Sequence, residues 1–158
     1  MFRELRRKKQ QLSDAECVAI LTKEKRGILS VIGDDGYPYG TPMNHFYNAD
    51  DGCIYFHCGK GGHRGDALQK CNKVSFCVYD AGEKVDEGWA LTVKSVIEFG
   101  EIEAIETPEK TVEITRKLCF KFTNDLSYIE DEIKNHAHRT VLLKLTPKHV
   151  CGKRVTES

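Results

Sequence analysis

The residues of this chain best equipped for chemistry lie in one stretch, Cys53–Leu68, which reads CIYFHCGKGGHRGDAL. An apolar strand runs into a loop containing Gly59, Gly61 and Gly62 with Lys60 between them. His63 and Arg64 follow, and a short amphipathic helix is expected to start at Gly65 or Asp66 and run to Cys71. Glycines let a backbone approach a ligand closely and expose its N–H groups. A helix start adds unpaired N–H donors and the positive end of the helix dipole. Lys60, Arg64 and a protonated His63 would add side-chain cations, so the stretch is suited to a dianionic phosphate. It reads equally as an ordinary glycine-rich strand-to-helix turn with solvated charges. Cys53, His57, Cys58 and His63 are metal-ligand types, but no CxxC pair occurs. His57 and Cys58 point to opposite faces of a strand, and structural zinc sites use tight ligand pairs. No metal is expected.

The elements that must position this stretch can be read on either side of it. Ser13-Asp14-Ala15-Glu16 is a capping-box pattern for a helix to about Lys25, with a small-residue face of Ala15, Val18, Ala19 and Thr22. Gly27–Gly33 is an apolar strand, Asp34-Asp35-Gly36 a hairpin turn, and Tyr37–Asn48 the returning strand. Pro38 and Pro42 make that strand an edge, or one interrupted where a ligand can approach. After the loop, Lys73–Asp80 alternates with Val74, Phe76 and Val78 on one face. A long extended run, Trp89–Glu106, carries apolar residues at odd positions up to Phe99 and at even positions beyond Gly100. Such a change of phase predicts a bulge or bend at the glycine. Thr107-Pro108 opens a helix with its stripe at 111, 114, 115, 118, 119 and 122, and Asn124 or Asp125 caps another with Leu126, Ile129 and Ile133 inward. Thr140–Thr146 is a last strand, followed by a basic tail with Lys148, Lys153 and Arg154. Mostly consecutive strands with added helices predict a mainly-β protein, a β-barrel of about six antiparallel strands.

Composition narrows the partners. A length of 158 residues suits one domain, residues 1–158, of which 1–12 form a basic and flexible N-terminus. The 24 basic and 24 acidic side chains balance, so no global field favours nucleic acid or a membrane surface. No apolar run is long enough to span a bilayer, no secretory segment follows the basic start, and a cytoplasmic location is expected. The seven cysteines read as small buried hydrophobes.

The order of these pieces resembles the pyridoxamine 5'-phosphate oxidase-like split-barrel flavoproteins, and within them the branch related to nitroimidazole-resistance proteins. Three stretches carry the resemblance: Gly36-Tyr37-Pro38-Tyr39-Gly40-Thr41-Pro42-Met43-Asn44; Ile54–Cys58 with Gly62-His63-Arg64 behind it; and Ser95-Val96-Ile97-Glu98-Phe99-Gly100-Glu101-Ile102. A closing Gly152-Lys153-Arg154 also fits, and the match runs from Ser13 to Arg154. The resemblance implies an antiparallel split barrel that binds FMN between the two subunits of a homodimer, with FAD as the alternative. The phosphate would sit on Lys60, Gly61, Gly62, His63 and Arg64. The ring would lie along Thr41, Pro42, Met43 and Asn44, with His57 and Cys58 toward the same cleft and the partner's Trp89 and Ser95 strand completing it. His57 is the candidate catalytic residue, and His45 is the other titratable group near the implied ring. The implied activity is an FMN-dependent oxidoreductase acting on a small electrophile such as a nitro-aromatic. The C-terminal arginine pattern of true pyridoxamine-phosphate oxidases is not found, so that activity is not expected. A flavin-storage protein and a haem-binding split barrel, with His63 or His149 as axial ligand, are the competing readings.

Overall fold

The computed structural model describes residues 1–85 and 87–157. Helix α1 (Asp14–Lys23) starts on the expected capping box, with the Ser13 side chain accepting from the Glu16 N–H and the Glu16 carboxylate accepting from the Ser13 N–H at 2.9 Å. It buries Cys17, Ile20 and Leu21 and leaves Val18 exposed. The small-residue face is therefore not the packed one, because larger side chains remove more apolar area from water.

Strand β1 (Arg26–Ile32) turns through Asp35 (φ 54°) and Gly36 (φ 76°) into β2 (Pro38–Asn44). Then come β3 (Phe46–Asn48), β4 (Cys53–Gly59), α2 (Gly62–Lys70), β5 (Lys73–Tyr79), β6 (Glu83–Lys84) and β7 (Leu91–Ile105). Helices α3 (Pro108–Cys119) and α4 (Leu126–His136) precede β8 (Thr140–Thr156). All strand pairs are antiparallel, in the order β2-β1-β5-β7-β8-β4-β3, with β6 on β7. The two ends of that path are consecutive in the chain, joined through His45, so the sheet curls round on itself. The expected mainly-β architecture with peripheral helices is what forms. Among the described residues the count is eight strands, not six: the returning strand divides at His45 because β2 pairs with β1 while β3 pairs with β4, and β6 adds a short one.

His45 sits at that division, fully buried, its ring edge-on to Phe76 at 5.0 Å between centroids. Its Nε2–H donates to the Leu21 carbonyl at 2.8 Å, and its own carbonyl accepts from Lys121 Nζ at 3.0 Å. Lys121 also donates to the Glu24 carbonyl at 2.6 Å. Three segments are thus tied together where the strand changes partner. Burial, aided by the Lys121 charge, holds the His45 pKa down at about 4.

The interior positions of β7 are even, with Val96, Glu98, Gly100 and Ile102 buried, whereas Val93, Ile97 and Phe99 lie half-buried on the outer face. This reverses the expected face: a glutamate among the core positions, and apolar residues on the outside, inverted the apparent pattern. An irregularity does fall between Phe99 and Gly100, but the extra residue is Lys148 of β8, since Phe99 pairs with His149 and Gly100 with Pro147. Gly100 is needed there because a Cβ would collide with the Thr146 carbonyl. Strand β8 runs on to Thr156, so Lys148, Lys153 and Arg154 belong to a strand paired with β7 and not to a solvated tail.

The barrel interior is filled by Leu29, Val31, Ile54, Phe56, Phe76, Val78 and Leu145, among others. A second cluster, Cys53, Tyr55, Ile114 and Leu142, packs α3 onto the outer side of β4 and β8. Helix α4 is capped by Asp125 and buries Ile129 and Ile133, while Leu126 is exposed. Among the described residues no helix is long and apolar enough to cross a membrane.

Candidate functional site

The glycine loop lies between β4, which ends at Gly59, and α2, which begins at Gly62 rather than at Gly65 or Asp66. The earlier start follows from Gly61 (φ 76°) and Gly62 (φ 81°), whose left-handed backbone turns the chain directly into the helix. Gly61 is the N-cap and supplies no side chain, so the first-turn N–H groups of α2 have no cap bond. A Cβ at Gly59, Gly61, Gly62 or Gly65 would meet nothing within 4 Å. Packing within the chain does not require these glycines to be small, and the space over the loop is open.

Arg64 leaves the first turn of α2 and reaches β2, its Nη1 lying 3.4 Å from Thr41 Oγ1 and 3.1 Å from Met43 Sδ. Lys60 is exposed and forms no ion pair among the described residues. Beside the loop opens a cavity of about 270 Å³ whose charged lining residues are Lys60 and Arg64 alone. Its apolar wall is Leu68, Ile102, Val141 and Leu143, with Cys58 at its edge. Two cations, uncapped helix N–H groups and no acid make this an anion-attracting place.

His63 turns the other way, its ring stacked on Tyr39 at 4.1 Å between centroids, with Nε2 3.5 Å from Asp34 Oδ2. Lys70 shares that carboxylate at 3.5 Å. Asp34 and Tyr39 were read in the sequence as turn and strand, not as site residues; the proximity of the hairpin turn to α2 is a tertiary fact with no local signature. On β2, Thr41 and Met43 face α2, so side-chain alternation puts Pro42 and Asn44 on the opposite face. On β4, alternation likewise separates Cys58 from His57. His57 lies directly opposite Leu142, on the outer face. Burial lowers its pKa, so the ring is neutral near pH 7. Trp89, in the loop before β7, is 73% exposed, and Ser95 lies on β7 between Tyr79 and Lys153. Neither lines the loop cavity of its own chain. Among the described residues no group of three or more His, Cys, Asp or Glu side chains is placed to hold a metal ion.

Residues 13–154 match the sequence pattern of the family described as pyridoxamine 5'-phosphate oxidase. The chain belongs to that family. Solved structures with the same fold include a protein named for 5-nitroimidazole antibiotic resistance from Bacteroides thetaiotaomicron, 21% identical with a TM-score of 0.79 over 92% of this chain and 87% of that one. A FAD-binding protein from Mesorhizobium loti is 22% identical, TM-score 0.65, over 92% and 97%. A flavocytochrome from Azotobacter vinelandii is 18% identical, TM-score 0.71, over 98% and 73%. No curated protein matches the chain significantly. The loop suits a phosphate group such as a flavin nucleotide carries: its cavity is lined by two cations and no acid, its helix N–H groups are uncapped, and its glycines leave the approach free.

Proposed function

We propose that this family member is an FMN-dependent oxidoreductase that reduces a small electrophilic compound, such as a nitro-aromatic. The observation that carries the reading is Arg64, which joins the start of α2 to Thr41 and Met43 of β2. It thereby connects the anion loop to the strand along which a ring would lie. Lys60, Arg64 and the N–H groups of Gly62 and His63 would hold the phosphate. Pro42, Asn44 and His57, on outward faces, would border the ring. A bound flavin supplies one- or two-electron transfer, which no protein side chain here provides. A neutral His57 can both donate and accept a hydrogen bond there. FAD shares the phosphate chemistry and is the alternative cofactor.

A homodimer belongs to the same proposal. Tyr79 and Trp89 are 59% and 73% exposed, and Ile97 lies on the outer face diagonally across β5 and β7 from Tyr79. This apolar area suits a second copy, which would bring Trp89 and Ser95 to the partner's ring. The test is the absorption spectrum and mass of the group that co-purifies, followed by addition of NAD(P)H and a nitro compound. Flavin bands and many cycles of oxidation and reduction are expected. Flavin that never cycles would replace the enzyme by a storage protein, and a haem spectrum would turn attention to His63 or His149. A colourless protein that ignores added FMN would remove every flavin reading.

A further inference from the structure

We propose that the cavity beside the glycine loop binds a short aliphatic carboxylate, its head group on Lys60 and Arg64 and its chain against the inner wall of the barrel. The cavity, about 270 Å³, is a wedge between α2 and the ends of three adjacent strands. On the strand side Cys58 of β4 stands opposite Val141 of β8, and Leu143 of β8 opposite Ala104 of β7. Ile102 and Leu143 belong to the buried core, and Cys58, Val141 and the α2 residue Leu68 pack against it. The wedge therefore leaves the end of the core itself uncovered. A phosphate has no use for such a wall, whereas an apolar chain laid on it removes that surface from water.

The lining also sets what kind of chain fits. Among the described residues no aromatic ring lines the cavity, and apart from the two cations and the Cys58 thiol its one polar side chain is Gln69. The matching body is aliphatic and carries no polar group. Its volume falls just under the range of sites for drug-sized ligands, so the chain is short. The head group follows from Arg64. This side chain is half-buried, and its Nη1 contacts only neutral acceptors, Thr41 Oγ1 at 3.4 Å and Met43 Sδ at 3.1 Å. A guanidinium taken partly out of water is normally paired with an anion. No carboxylate lines the cavity, and Lys60 adds a second positive charge at its rim. One carboxylate from a ligand meets both, with the fork of Arg64 suited to its two oxygens. The β7 residues involved, Ile102 and Ala104, lie on the inward side of that strand, away from the face offered to a second copy. The inference shares Lys60 and Arg64 with the phosphate reading but does not depend on a flavin being bound.

The test is calorimetric titration of the full chain, freed of any flavin, with butanoate, hexanoate and octanoate, and with neutral 1-octanol as comparison. Octanoate binds, and each methylene added along the series raises affinity about two- to fourfold. Lys60→Gln with Arg64→Gln weakens octanoate about 10- to 100-fold and leaves 1-octanol within about twofold. Gly65→Leu and Ala104→Trp fill the cavity and abolish octanoate binding. Both should fold, which circular dichroism checks: a Cβ at Gly65 meets nothing within 4 Å, leucine suits a helix better than glycine, and Ala104 is exposed. The inference is overturned if octanoate binds no more tightly than about 5 mM, if affinity is independent of chain length, or if 1-octanol binds as tightly as octanoate. Binding that survives both cavity-filling variants overturns it too. Added FMN then separates the two readings of the loop. Octanoate that weakens FMN binding supports the shared cations, and both ligands bound together without mutual effect overturn the placement on Lys60 and Arg64. A protein that binds octanoate and ignores FMN removes the flavin reading and leaves this one.

Discussion

Replacing Glu98 by glutamine should shift stability relative to wild type in the variant's favour as pH rises from acid to alkaline. Glu98 is 1% exposed inside the barrel, and its Oε1 has no hydrogen-bond partner. Burial pushes its pKa from 4.5 up to about 7. A carboxyl whose pKa is raised on folding contributes fully below its unfolded pKa, and that contribution is lost as pH rises through the folded value. The loss therefore runs from pH 4.5 to pH 7, and at about 1.4 kcal/mol per pH unit it reaches at most about 3 kcal/mol. Glutamine keeps the shape and removes the charge. Its own unpaired amide costs the same at every pH, and the titration of His45 is common to both proteins. The readout is therefore the pH dependence of the difference between variant and wild type, from urea unfolding at pH 4.5, 6 and 8. The difference should move in the variant's favour by about 2–3 kcal/mol across that range. A difference flat to within about 0.5 kcal/mol would show that Glu98 meets water or a partner in the folded protein.

Three further outcomes follow from the same structure. Lys60→Ala with Arg64→Ala should weaken FMN binding by about 10- to 100-fold, since each removes a charge-assisted contact; riboflavin, which lacks the phosphate, should change little, and equal losses for both would contradict the phosphate site. His45, buried neutral with its pKa down at about 4, adds stability above pH 6.5 that is lost as pH falls toward 4; His45→Leu should abolish that acid-side slope in urea titrations even though it lowers stability elsewhere. Gly100→Ala should destabilise by about 1–3 kcal/mol, as overpacking does, because the Thr146 carbonyl stands where the methyl would go; thermal unfolding measures it.

Much of the fold was legible because local rules governed it. The capping box at Ser13, the hairpin at Asp34–Gly36, the alternation of Val74, Phe76 and Val78, and Pro108 at a helix start all formed as their chemistry dictates. What could not be read depended on partners distant in the chain. The face of β7 was misread because Glu98 faces inward while Ile97 and Phe99 face outward. The end of β8 was hidden by Pro147 and the extra Lys148, which interrupt any alternation. The loop's glycines and cations stood out in the sequence. That Arg64 reaches Thr41 while His63 instead meets Tyr39 and Asp34 required the barrel.

The change of partner at His45 also bears on how the protein behaves in a crowded solution. Because β2 pairs only with β1 among the described strands, its other side is a bare strand edge, the kind of surface that recruits strands from neighbouring chains. Pro38 and Pro42 lie on that edge, where each withholds an N–H that an incoming strand would need. The barrel can therefore keep one seam unsealed without offering a template for aggregation. Substituting both prolines would be expected to leave the monomer's fold intact and make it precipitate.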